Sequence, residues 1–287
     1  MTTPSALAPV LLALLAACQF GAALVLTQFA LRHAAPDAGA RISICASAAL
    51  LAVVALALVD PAGWSPAGAA VFAAVGLVFP VVVTRLTFEA NRRMGPSLAG
   101  ALGNLAPLFA VLGAALLFGD LPRGGQVAGL AVIVAGAAVL SLARGVTHLP
   151  WTLAVAALPL TAAAIRGLVQ PATQFGLSHW PSPLAAAAIG YAVSALVLLT
   201  TTRRTVPPGG PALGWFAAVG LCNGGAVLTM YAALAAGPVV LVAPLVATYP
   251  LVTLALSALL LGRATLGRAT LAGVAITVAG VMLLLAG

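Results

Sequence analysis

The chain has 287 residues, 63% of them hydrophobic and only 6% charged, with a formal net charge of +8 and a mean hydropathy of +1.20. An average soluble domain carries about 25% charged residues, so a water-soluble globule is excluded. All 12 basic residues are Arg, and most fall in short connections between apolar runs, which reads as a topology signal and not as a nucleic-acid surface.

The N-terminal MTTPSALAPV holds no Lys or Arg for the n-region of a signal peptide, so the first apolar run is expected to stay in the mature protein. A span needs about 20 apolar residues to cross a bilayer. Charge, Pro and Gly divide the chain into ten such spans, near 6–31, 39–59, 67–92, 96–118, 125–143, 150–175, 183–201, 212–235, 239–261 and 267–286. The spacing predicts an all-α polytopic membrane protein. Between the eighth and ninth spans the only break is Ala236-Gly237-Pro238, matched by Gly95-Pro96 in the first half. The third and fourth helices of each half are therefore expected to meet at a very tight turn. Cys18, Cys45 and Cys222 lie inside apolar runs without a CxxC and read as small buried residues.

Two words recur along this series. VFAAVGLVFP at 71–80 returns as WFAAVGLCNG at 215–224, and LTQFAL at 26–31 returns as ATQFGL at 172–177. The offsets, 146 from Thr27 to Thr173 and 144 from Phe72 to Phe216, are close to half of the chain. The chain thus reads as two copies of one unit, 1–145 and 146–287. Five spans per copy is an odd number, so the second copy enters the membrane upside down. Inverted repeats of this kind are the signature of secondary transporters, with a site at the midplane between halves that rock around it. Connections after odd spans hold Arg32, Arg41, Arg92, Arg93, Arg144, Arg203, Arg204, Arg263 and Arg268, whereas those after even spans hold Arg123 alone. The positive-inside rule then puts the odd connections in the cytoplasm and both termini outside.

Gly119-Asp120 closing the fourth span, Gly129 and Gly136 in the fifth, and Gly262, Gly273 and Gly280 in the second copy resemble the repeat ending of the drug/metabolite transporter superfamily. Phe20-Gly21 is similar to that family's Trp-Gly pair, with Phe in place of Trp. The resemblance covers the whole chain as two five-helix EamA domains, and among members it is to bacterial amino acid exporters, the aromatic amino acid exporter included. One departure is Arg263, which stands where the first copy has Asp120. The resemblance implies a multi-pass protein of the bacterial inner membrane.

Polar side chains at membrane depth are costly unless they face protein or water, which makes each a functional candidate. Arg166, beside Gly167 and four residues before Gln170, has no acidic residue nearby in sequence, and its guanidinium suits a substrate carboxylate. The competing reading is snorkelling, or pairing with carbonyls freed by Pro171. Aligning TQF on TQF sets Gln19 opposite Ile165, Phe20 opposite Arg166 and Gln28 opposite Gln174. The last pair suggests a shared structural duty such as bonding between halves, while Gln19 and Gln170 are candidates for recognition. Arg85 and Glu89, four apart, are expected to pair near the Arg92-Arg93 mouth, with gating as the sharper reading. Pro107 and Pro250, preceded by Asn104 and by Thr248-Tyr249, are expected to kink the fourth and ninth spans and wall a cavity, as are Phe79-Pro80 and its counterpart Asn223-Gly224. Tyr231 and Tyr249 read as packing first and as stacking partners second.

His33, His148 and His179 lie at span ends without ligand spacing, and no nucleotide, protease or hydrolase motif is present. No metal, cofactor, enzyme activity or nucleic-acid partner is expected. The sequence is read as that of a monomeric ten-helix carrier in contact with membrane lipid, exporting small metabolites, amino acids first, through a cavity between its halves. The alternatives are an exporter of drugs or other metabolites and a non-transport assembly subunit. Glu89 is the only carboxylate in any span, so proton coupling through a central carboxylate is not expected.

Overall fold

Inside a bilayer the backbone must satisfy its own polar groups, and a helix does so within one segment. A computed structural model describes residues 7–94, 99, 102–143, 152–201, 209–261 and 267–286, and among them every regular element is helical. In chain order these are α1 (Leu7–Ala30), α2 (Pro36–Leu58), a 3-10 turn (Pro61–Gly63), α3 (Pro66–Val78), α4 (Val81–Met94), α5 (Ala106–Phe118) and α6 (Gly124–Leu142). The second half follows with α7 (Leu153–His179), α8 (Pro183–Thr201), α9 (Gly210–Ala236), α10 (Val239–Val246), α11 (Tyr249–Leu261) and α12 (Arg268–Ala286). Helices α3 and α4 form the third span and α10 and α11 the ninth, which gives the ten spans of two inverted five-helix repeats. The boundary at 145/146, the Gly95-Pro96 turn, Arg144, His148, Arg203, Arg204, Gly262 and Arg263 lie outside the described residues.

Local chemistry sets the helix ends. Ser65 caps α3 by accepting the Gly68 N–H at 3.3 Å, with Pro66 in the first turn where its missing N–H costs nothing. Gly119 ends α5 in the left-handed region, at φ 71°. Between α9 and α10 the turn is as tight as its Gly237-Pro238 predicts, with Pro238 as the N-cap of the next helix.

The fourth and ninth spans correct one expectation. Pro107 and Pro250 do not kink continuous helices; each is the second residue of a new one, α5 and α11, after a turn at Asn104-Leu105 and at Ala247-Thr248. The third span breaks too, at Phe79-Pro80 between α3 and α4, whereas its counterpart Asn223-Gly224 lies inside the unbroken α9.

The repeats interlock. Helix α1 packs on α9, α10 and α11 of the other copy, and its counterpart α7 packs on α3, α4 and α5. Helix α2 lies on α9 and α8 on α3, while α6 and α12 pair with each other. Close approach at the α2/α9 and α8/α3 crossings requires glycine: a Cβ on Gly220 would overlap the Ser43 carbonyl, and one on Gly76 would come within 2.7 Å of the Gly190 carbonyl oxygen. Each crossing is tied by a buried serine, Ser47 donating to the Gly220 carbonyl at 2.7 Å and Ser194 to the Gly76 carbonyl at 2.6 Å. Such bonds hold helices together where lipid offers no hydrophobic drive between them.

Candidate functional site

Between the repeats lies a cavity of about 250 Å³. The inverted packing brings the C-terminal half of α1, the first half of α2, the break and body of α3/α4, the middle of α7 and α8, much of α9 and the break before α11 to its walls. Of the residues singled out in the sequence, Phe20, Phe79, Arg166, Gln170, Asn223 and Tyr249 line it. Gln19 and Asn104 stand outside the lining. Gln19 accepts the Thr229 hydroxyl at 2.8 Å and so bridges α1 to α9, and Asn104, buried before α5, accepts the Tyr249 hydroxyl at 3.4 Å.

The two long walls differ in chemistry. Phe20 and Leu24 of α1 line one, and the residues at the equivalent positions of α7, Arg166 and Gln170, line the other. Arg166 is half-buried and makes no hydrogen bond or ion pair among the described residues. Gln170 is 4% exposed, and its Oε1 has no hydrogen-bond partner. Among the described residues no Asp or Glu lines the cavity, whose remaining surface is largely apolar and aromatic.

The polar residues assigned to gating or structure lie around this chamber. Gln174 donates to the carbonyls of Leu234, at 3.1 Å, and Gly237, at 2.8 Å, within its own repeat and not across the halves. Its counterpart Gln28 is exposed on α1. Glu89 pairs with Arg93, and Arg85 donates to the Thr201 hydroxyl at 2.9 Å. Pro107 and Pro250 are buried at the starts of α5 and α11.

Sequence reasoning missed Tyr191, Ser43, Ser47, Thr84, Thr87 and Phe216, all of which line the cavity. Phe216 is the counterpart of Phe72 in the repeated word, yet Phe72 packs on Trp180, with ring centroids 6.1 Å apart, at the opposite end of the molecule. Inversion sends equal residues to opposite ends, so their equivalence in sequence hides a difference in role. Lining residues Thr27, Gly39, Ala40 and Thr87 carry the cavity toward the helix ends that hold Arg32, Arg41 and Arg93. At the other end Trp180 packs against Gly68 and Pro9 against Gly237.

The model of the EamA-like transporter family matches residues 7–142 and again 153–286. The chain belongs to the EamA-like transporter family. This EamA protein is accordingly a multi-pass membrane transporter of the drug/metabolite transporter superfamily. One crystal structure shares its fold at 21% sequence identity, with a TM-score of 0.76 over 96% of this chain and 95% of that one. No match is found among curated proteins.

Proposed function

We propose that this EamA protein is a secondary transporter that exports small metabolites, amino acids including aromatic ones first, across the bacterial inner membrane, working as a monomer by alternating access around the central cavity. The observation that carries this reading is Arg166, partnerless among the described residues, on a wall that faces Phe20 and Leu24. A guanidinium takes a carboxylate bidentately, and it does so most strongly away from bulk water. The facing apolar wall suits an aliphatic or aromatic side chain. A volume of about 250 Å³ is below the roughly 300–1,000 Å³ of pockets for drug-sized ligands. A multidrug role is further disfavoured because, among the described residues, no carboxylate lines the cavity to attract a cationic drug. For the same reason, solute is expected to move down its own gradient without a proton relay in the cavity.

The test is a panel of labelled amino acids and cationic drugs in proteoliposomes, with and without a pH gradient. Uptake of aromatic or aliphatic amino acids, competed by one another and present without the pH gradient, is the expected result. Movement of the drugs with no movement of any amino acid would overturn the reading.

A further inference from the structure

We infer that Gln170 is the residue by which the cavity reads the ammonium group of an α-amino acid, which rests on the amino acid reading above and names a specificity-determining contact within it. Gln170 lies one helical turn after Arg166, so the two share a face of α7 and both line the cavity. It is 4% exposed, its Oε1 has no partner, and its amide makes no hydrogen bond among the described residues. Buried polar groups are nearly always bonded, and one left unbonded is unfavourable.

Packing does not account for the amide. The equivalent position in the inverted copy is Leu24, 146 residues earlier by the Thr27 to Thr173 offset, and Leu24 lines the opposite wall of the same cavity. An apolar side chain thus occupies that register in the other copy, where Leu24 is 44% exposed against 4% for Gln170. The second copy holds an amide in place of an isobutyl group, at the cost of an unbonded buried oxygen.

The chemistry fits a zwitterion. An α-amino acid carries its carboxylate and its ammonium on one carbon, so two groups one turn apart on a helix can take both. The Arg166 fork donates to the carboxylate, and the Gln170 oxygen accepts an N–H from the ammonium. The terminal torsion of Gln is broad, so the oxygen can turn to the bound group at little cost. The substrate side chain then points to Phe20 and Leu24.

The experiment compares L-phenylalanine with 3-phenylpropanoate, the same molecule without its amine, in binding and in counterflow on wild-type protein and on Gln170→Met. The wild type is expected to prefer phenylalanine by about ten- to a hundredfold, the range of one charge-assisted hydrogen bond. In Gln170→Met the preference should collapse toward one. A fall in affinity for both ligands by the same factor would overturn the role of Gln170 and leave the amino acid reading standing. A wild type that binds the two equally overturns it without any variant, should Gln170→Met fail to fold. Binding of neither overturns the amino acid reading and this inference with it.

Discussion

Arg166 and Phe20 occupy equivalent positions in two copies of one helix, and the difference between them gives the cavity its polarity. Arg166→Gln is expected to weaken amino acid binding by about tenfold to a hundredfold, the loss of one contact to a charged group. Expression and the thermal stability of the ligand-free protein should not change, since among the described residues Arg166 holds no partner that would be orphaned. Unchanged amino acid affinity in this variant returns Arg166 to the class of snorkelling residues. Glu89 is a different case, because it pairs with Arg93 on α4 and does not line the cavity. The pair is partly exposed, and such pairs contribute about 0–1 kcal/mol. Glu89→Gln should keep downhill flux in liposomes and nearly all of its stability; a folded variant without flux would show a relay or gate. These roles were legible only in part. Sequence flags a charge or amide in an apolar run, which is how Arg166, Gln170 and Asn223 were found. It cannot tell which face of a helix turns to the cavity, which is why Tyr191 and Thr87 were passed over and Asn104 and Gln19 stand outside the lining.

At the scale of the element, the departures from continuous helix shape the chamber. Pro107 and Pro250 announce breaks, but a proline in a long apolar run fits a kink as well as a fresh start. The turn before it decides, through three-dimensional packing that sequence does not display. The glycines are better marked, because the word AAVGL recurs with its Gly at 76 and 220 and both positions sit where backbones touch. Gly220→Val should destabilise the protein by about 1–3 kcal/mol, since the new side chain overlaps the Ser43 carbonyl and displaces the Ser47 bond. Gly214, on the same helix α9, has open space where its Cβ would stand. Gly214→Ala should therefore stabilise by roughly 0.5–1 kcal/mol through helix propensity alone. Thermal unfolding in detergent measures both, and equal shifts would show that the α2/α9 crossing is looser than the close approach implies.

For the whole molecule, duplication and inversion were legible early, because two repeated words and a count of five spans per copy leave no other arrangement. Interlocking was not, since no local pattern says that α1 packs on the partner repeat and not on its own. Orientation comes from charge. Arg32, Arg41, Arg93 and Arg268 lie at the ends of helices toward which the cavity runs, and Arg123 lies at the other. Basic residues in short connections are retained on the cytoplasmic side, and the orientation we propose on that ground turns the chamber to the cytoplasm, the side from which an exporter loads. The closed end, where Trp180 packs on Phe72 and Gln174 holds the carbonyls of α9, then faces outward. The same proposal sets the C-terminal end of α12 on the outward side, because its first residue, Arg268, is on the arginine-rich one. Alkaline phosphatase fused after Gly287 should therefore be active in cells, and a reporter that works only in the cytoplasm should be silent at the same point. An inactive phosphatase with an active cytoplasmic reporter would invert the molecule. The cavity would then open outward, and the charge asymmetry of the loops would not be what orients the chain.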